Sequence, residues 1–522
     1  MPKLLTSLFE DPRIYGRDEE RDKILEFLLS EEPERNTIGV IAILGMGGIG
    51  KTTLAKLLFN DERLKESFDL TVWVCVSDQF DSLQVTRSIL TSVARQKYST
   101  SLDLNFLQNE LSGKLREKRF LLVLDDVWQE KYEDWERLRA PFSAGRTGSK
   151  IIVTTRNKGV ASIMSTAPSC HLKPLSDDDS WSLFFRHAFE IGSSVPDHSL
   201  EFIGKKIVDK CGGLPLAIKA LAGLLRGTQD IREWEAVLHS RLWESPKDKT
   251  DVIPALWLSY NHLPSHLKRC FSYCAIFPKD YKIDRKKLVL MWMAEDFLLS
   301  TESGKSIEDT GDKYVQQLVS RSFLEPMDKS YVTMHDVMHD LAEFISGDFI
   351  ARQEDGQASG FSERARHFSF YADFYDRISK FEAIHKTQFL RTFLQLYESN
   401  GNSKGRYFLA QRVTTALIPH FHYLRVLCLL GYEIFELPES IGCLKQLRDL
   451  DVSHTKIAEL PESVSTLHNL QSLLLADCCY LETLPADIGK LALLRHLDTK
   501  GTTSLLEMPK HMSKVNKPTK PY

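Results

Sequence analysis

Gly45-Met46-Gly47-Gly48-Ile49-Gly50-Lys51-Thr52-Thr53 follows the apolar run Ile38 to Leu44 and leads into a helical pattern through Leu54, Leu57 and Leu58. The string fits G-x-x-x-x-G-K-[ST] through Gly45, Gly50, Lys51 and Thr52, with further glycines at Gly47 and Gly48. A strand, a glycine-rich turn and a helix in that order make a phosphate cradle. Glycines let successive backbone N–H groups converge on phosphate oxygens, and the helix N-terminus adds a favourable dipole. Lys51 is expected to reach the β and γ phosphates and the Thr52 hydroxyl to ligate Mg2+, with Thr53 completing the nucleotide-binding string.

Such a site needs a second metal contact at the end of another strand. Arg119-Phe-Leu-Leu-Val-Leu-Asp-Asp-Val-Trp128 supplies an apolar strand ending in two carboxylates. Asp125 is expected to hold Mg2+, and Asp126 to orient or deprotonate an attacking water. The next apolar run, Lys150 to Thr155, ends at Arg156, a cation placed to sense a γ phosphate.

Around these motifs, short runs rich in β-branched residues (Ile38 to Leu44, Thr71 to Val76, Phe120 to Leu124, Lys150 to Thr155) alternate with helical patterns, which predicts an α/β domain with a largely parallel sheet. From Lys173 to Gly347 helical periodicity dominates, and a less regular stretch, 348–388, reads as a linker. Beyond it, Leu424, Leu447, Leu470 and Leu494 each open an L-x-x-L-x string, at spacings of 23, 23 and 24 residues. Leu437-Pro438, Leu460-Pro461, Leu484-Pro485 and Met508-Pro509 recur in phase, and Leu390 to Gln395 reads as an irregular earlier unit. A period in this range marks leucine-rich repeats, whose units bury their leucines only against neighbours.

The whole chain, 522 residues with 43% hydrophobic and 26% charged, is long enough for several globular domains. A formal charge of -4 provides no basic field for nucleic acid or anionic lipid. Nine cysteines scattered through apolar segments lack a secreted disulfide framework, and no apolar run approaches the ~20 residues of a membrane span. These features predict a cytoplasmic protein, with nuclear or membrane-peripheral pools left open.

The ordered series Ile14-Tyr-Gly-Arg17, GMGGIGKTT, FDLTVWVCVS, FLLVLDDVW, GSKIIVTTR, Cys211-Gly-Gly-Leu-Pro-Leu-Ala217, Cys270-Phe-Ser-Tyr-Cys-Ala-Ile-Phe-Pro278 and Met334-His-Asp336 resembles plant intracellular nucleotide-binding, leucine-rich-repeat disease-resistance proteins. Trp128 and the string from Cys270 to Pro278 are similar to the coiled-coil subclass. The resemblance implies a multidomain α/β plus α plus repeat-solenoid fold: a P-loop subdomain (13–170), a small helical subdomain (171–245), a winged-helix subdomain (246–347), the linker, and a repeat horseshoe (389–510), with an N-terminal stub (1–12) and a tail (511–522). It further implies that Ile14 and Arg17 lie near the adenine and ribose, that Pro215 packs on the base, and that His335 contacts the ADP β phosphate. The implied resting state is ADP-bound and closed. Exchange to ATP opens it and promotes self-association or engagement of a helper receptor, and the repeats sense a pathogen effector or a guarded host protein.

The family pattern places a helical signalling domain before Ile14, whereas 13 residues precede it here. The expectation is therefore a truncated product or a receptor that signals through a partner. A non-signalling regulator or decoy is the alternative reading, and a conventional P-loop ATPase ranks below it. Slow ATP hydrolysis that resets a switch is the most enzymatic activity expected. His335-Asp-Val-Met-His339 imitates the zinc motif H-E-x-x-H, but with an Asp one methylene shorter than the general base that motif uses, and the resemblance accounts for the same residues.

Overall fold

The computed structural model describes residues 14–30, 38–76, 81–96, 98, 102–128, 131–189, 198–240, 243, 254–299, 306–353, 362–397 and 407–505. The stub 1–12, the Met508-Pro509 anchor and the tail 511–522 lie outside the described residues. The chain divides into two compact units, Met1–His262 with Ser320–Phe323, and Leu263–Val319 with Leu324–Tyr522.

In the first unit, α1 (Asp18–Leu29) precedes β1 (Gly39–Leu44), and the chain continues through α2 (Lys51–Asn60), α3 (Glu62–Ser67) and β2 (Leu70–Cys75). Next come α4 (Ser82–Ala94), α5 (Leu104–Leu115), β3 (Phe120–Asp125), α6 (Tyr132–Arg139), β4 (Lys150–Thr155), α7 (Lys158–Met164) and β5 (Cys170–His171). The five strands are parallel in the order β2-β3-β4-β1-β5. Alternating strand residues explain why these runs are apolar throughout. Ile41, Ile43, Leu121, Val123 and Ile152 enter one core, while Val40, Ala42, Leu44, Leu122 and Val153 enter the other. A sheet covered on both faces needs no polar side, and burying each such aliphatic chain contributes about 1.5–3 kcal/mol.

Helices α8 (Asp177–Ala188), α9 (His198–Lys210), α10 (Pro215–Leu225), α11 (Ile231–Leu238) and α12 (Pro254–Asn261) complete the unit. They share the first core with the sheet through Phe184, Ile207, Ile218, Trp234 and Leu258. Residues 254–261, expected within the winged-helix subdomain, therefore belong to this unit, because Ala255 and Leu258 bury with α10.

The second unit opens with α13 (Ser265–Tyr273), β6 (Ile283–Asp284), α14 (Arg285–Ala294), α15 (Ile307–Ser320, its last residue counted with the first unit), β7 (Glu325–Pro326), β8 (Tyr331–Thr333) and α16 (Asp336–Ser346). Its three short strands are antiparallel in the order β6-β8-β7. Strands β9 (Ile350–Gln353), β10 (His367–Tyr371), β11 (Tyr375–Asp376), β12 (Thr392–Leu396), β13 (Phe408–Leu409), β14 (Val426–Cys428), β15 (Asp449–Asp451), β16 (Ser472–Leu474) and β17 (His496–Asp498) follow. Seven of them form one parallel sheet, β17-β16-β15-β14-β12-β10-β9, and β11 pairs with β13.

The stretch 348–388 is not a linker. It carries β9 and β10, which extend the repeat sheet in register, His367 opposite both Ile350 and Thr392. Leucine spacing misses them because phenylalanine replaces leucine there: Phe368, Phe370, Phe381 and Phe393 form an aromatic cluster with centroids 4.9–6.3 Å apart.

Along the repeat strands Phe393, Leu427, Leu450, Leu473 and Leu497 point into the solenoid core. The intervening residues form two rows on the open sheet face, Thr392-Val426-Asp449-Ser472-His496 and Leu394-Cys428-Asp451-Leu474-Asp498. Much of this face is covered by the helices that begin the unit. Tyr273 Oη lies 3.1 Å from Thr392 Oγ1, Glu308 Oε1 lies 2.7 Å from His496 Nε2, and Leu290 and Met293 pack on Leu474.

Candidate functional site

Gly45 leaves β1 with its N–H donating to Thr155 O at 3.3 Å, and Gly50 (φ +101°) turns the chain into α2. Helices α4, α5, α7 and α8 begin with Asp81, Asp103, Asn157 and Ser176, whose side chains accept a first-turn N–H. No side chain caps α2, whose N-cap is Gly50. Its first-turn N–H groups are therefore directed into the loop, the arrangement that suits an anion. Lys51 is buried, 7% exposed, and its Nζ donates to Gly45 O and Met46 O at 3.0 Å each. Burial, followed by the nearby Arg156 guanidinium, lowers its pKa to about 8, against the pull of Asp126 and Asp125.

Thr52 Oγ1 donates to Asp125 Oδ1 at 3.0 Å, which brings the end of β3 to the start of α2. Asp125 is 5% exposed, and burial raises its pKa against the hydrogen bonds from Thr154 and Thr52. Thr154 also accepts from Asp126 N at 2.8 Å, holding Asp126 in the left-handed region at φ +58°. Arg156 lies over the Trp128 ring with its Cζ 4.9 Å from the centroid.

Gly48 O accepts from Leu216 N at 3.3 Å, so the loop meets the first turn of α10, where Pro215 is the first residue. Arg17 is 5% exposed and its Nη2 donates to Ile49 O at 3.1 Å. Ile14 is half-buried, three residues before Arg17. Gly47 is half-buried and Thr53 exposed. Ile14, Arg17, Gly45, Gly47, Gly48, Gly50, Lys51, Thr52, Thr53, Asp125, Asp126, Arg156 and Pro215 all belong to the first unit. His335 belongs to the second unit, where it caps α16, its Nδ1 accepting from Val337 N at 3.2 Å beside the Asp336 carboxylate.

Three families match the chain: the NB-ARC domain over residues 17–193, the disease resistance protein winged helix domain over 276–342, and a leucine-rich repeat region over 374–517. Disease resistance RPP13-like protein 1 of Arabidopsis thaliana is 43% identical over 472 residues, covering 90% of this chain. Disease resistance protein RGA2 of Solanum bulbocastanum is 43% identical over 340 residues, covering 64% of this chain. The chain belongs to the plant NB-ARC leucine-rich-repeat disease-resistance family. It spans 44% and 35% of the lengths of these two relatives. Among solved structures, a signal transduction ATPase with numerous domains from Pyrococcus horikoshii aligns at 17% identity and a TM-score of 0.41, over 66% of this chain and 45% of that one.

In this NB-ARC chain the nucleotide-binding region coincides with the P-loop sheet. Among the described residues, no helix is long and apolar enough to cross a membrane. Two contributors escaped the motif reading. Thr154 joins both aspartates, and its signal is the register that sets β4 beside β3, Val153 opposite Leu124. Leu216 seats the loop on α10, and its signal is the absence of a side chain at Gly48, where a Cβ would stand 2.8 Å from Leu216 Cβ.

Proposed function

We propose that the chain is the nucleotide-operated part of a plant immune receptor, cycling between ADP and ATP, with the repeats recognising a pathogen effector or a guarded host protein. The observation that carries this is the joining of Lys51, Thr52 and Asp125 at the uncapped start of α2. The donor set fits a nucleotide with Mg2+: backbone N–H groups and one ammonium for phosphates, a hydroxyl and a carboxylate for a hard cation. Lys51 and the loop from Gly45 to Thr53 would hold the phosphates, and Thr52 and Asp125 the Mg2+. When bound, the metal supplies neutralisation of phosphate charge.

Arg156 senses the γ phosphate, and Asp126 orients water for slow hydrolysis that resets the switch. Ile14 and Arg17 border the adenine and ribose, with Arg17 tied to the loop through Ile49 O, and Pro215 packs on the base. His335 reads the ADP β phosphate. Moving a two-state equilibrium from 1:99 to 99:1 takes about 5.5 kcal/mol of differential binding. Two or three charge-assisted hydrogen bonds to a γ phosphate, each about 1.5–3 kcal/mol, are of that size.

The test is to release nucleotide from purified protein, identify it by mass spectrometry, and compare the parent with His335→Ala. Copurified ADP in the parent, with reduced ADP retention and increased self-association in the variant, is the expected result. A parent without nucleotide that binds neither ADP nor ATP would overturn the proposal.

A further inference from the structure

One turn beyond His335, α16 presents His339, Asp340 and Glu343, with an imidazole nitrogen and two carboxylate oxygens all within 4.8 Å of one another. The acidic pair alone would mean little on a surface helix. His339 is the second observation, because its side chain is 1% exposed and its two ring nitrogens are in unlike surroundings. Nε2 lies 2.8 Å from Phe277 O, a carbonyl that can only accept, and 3.2 Å from Arg352 Nη1, which already donates to Ala275 O at 2.6 Å; the shorter contact, to the carbonyl, places the proton on Nε2. Nδ1 then bears a lone pair. It is buried without a hydrogen-bond partner and faces Glu343 Oε2 at 3.7 Å.

A lone pair opposite a carboxylate oxygen is an unfavourable arrangement unless a cation lies between them. We propose that His339 Nδ1, with the free oxygens of Asp340 and Glu343, binds a first-row transition-metal dication of the zinc type.

The pattern matches how proteins prepare such ligands. A metal-binding histidine commonly donates its other N–H to a backbone carbonyl, which sets the tautomer, and ligating carboxylates are themselves held by outer partners. Here Lys279 from the segment before β6 lies 3.0 Å from Asp340 Oδ1, and Arg352 from β9 pairs with Glu343 Oε1. Each carboxylate therefore engages one oxygen and keeps the other. The two cations hold the ligands and also lower the site's affinity, so the metal must be one that imidazole favours. Mg2+ and Ca2+ prefer all-oxygen shells, whereas Zn2+ accepts imidazole with carboxylate. Asp340 is 43% and Glu343 47% exposed, so both can rotate to close the ligand set to bonding distance. His335 takes no part, since its Nδ1 accepts the Val337 N–H.

The experiment uses the full chain stripped with a chelator and titrated with Co2+, the spectroscopic substitute for Zn2+, in the parent and in Asp340→Asn/Glu343→Gln. Both substitutions lie at exposed positions of α16 and leave His335 unchanged. The parent should bind one more equivalent than the double variant, with visible ligand-field bands free of thiolate charge transfer. Zn2+ should raise the Tm of the parent and leave that of the variant unchanged. His339→Gln should abolish the same equivalent. Equal stoichiometry in parent and double variant, or cobalt bands of thiolate type alone, would overturn the site. Equal Tm responses to Zn2+ would do so too, and would leave a plain ion-pair cluster. Because the readout involves no nucleotide, its failure is separate from failure of the switch.

Discussion

Lys287 Nζ, from α14, lies 2.7 Å from Asp451 Oδ2 on β15, joining positions 164 residues apart. Asp451 is enclosed at 3% exposure while the Lys287 stem stays partly in solvent, so the pair is a cation reaching down onto a buried carboxylate on the repeat sheet. Burial alone would raise the Asp451 pKa. Lys287 reverses that, and the net direction is downward. Lys287→Met removes the partner and leaves the carboxylate buried. Breaking a fully buried pair in this way costs about 3–5 kcal/mol, and partial exposure of the lysine reduces this to about 2. Denaturant unfolding of the second unit should show that loss, and Lys287→Met/Asp451→Asn should recover most of it. A single variant as stable as the parent would show that the pair contributes nothing.

Asp449, on the same face of β15, has the opposite fate. Burial first, and the Asp451 carboxylate second, push its pKa up to about 7, with Lys287 pulling the other way. The folded value exceeds an unfolded value of about 3.9, so the folded state keeps a proton that the unfolded chain releases. Stability from this group is full below about pH 4 and is lost as pH rises to about 7. Asp449→Asn removes the titration and keeps the shape. The variant's stability relative to the parent should climb between pH 4 and 7 by about 2 kcal/mol or more, and stay level above. A difference that does not change with pH would contradict this.

These two aspartates also mark where reading the chain stops. The nucleotide loop is legible because its chemistry is local: one string, Gly45 to Thr53, contains the turn, the helix start and the cation. The repeats are legible because leucine returns in phase. Strands β9 and β10 escape because Phe368 and Phe370 do a leucine's task without its spacing. Thr154 escapes because its hydroxyl matters only once β4 lies beside β3. The covered sheet face escapes entirely, since nothing near Asp451 in sequence announces Lys287. The motif from His335 to His339 stands out in the sequence for its two histidines, but the fold sends the first to a helix cap and the second into the interior.

Two glycines of the loop separate strain from contact. Gly48 has φ +75° and a Cβ there would stand 2.8 Å from Leu216 Cβ, whereas Gly50 has φ +101° with nothing within 4 Å. Gly50→Ala should lose about 1–2 kcal/mol from backbone strain alone. Gly48→Ala adds overpacking against α10 and should lose about 1–3 kcal/mol more. Thermal unfolding of the two variants checks the order, and equal losses would remove Leu216 as the seat of the loop.

Lys51→Met should dissociate stability from binding. Below its pKa of about 8 the folded protein confines an ammonium that solvates freely when unfolded, where the value is about 10.4. That destabilisation is fully present at neutral pH and fades as pH rises from about 8 to 10.4. Two pKa units amount to about 3 kcal/mol, and the lost hydrogen bonds to Gly45 O and Met46 O offset about 1–3 kcal/mol of that. The nucleotide-free variant should therefore be no less stable than the parent at pH 7, and any advantage should shrink by pH 9.5. Its affinity for ADP, measured by calorimetry, should nevertheless fall at least about tenfold, the equivalent of one charge-assisted contact of about 1.5 kcal/mol or more. A variant that unfolds more easily at pH 7 would show that Lys51 supports the loop itself. Unchanged ADP affinity would remove Lys51 from the phosphate site.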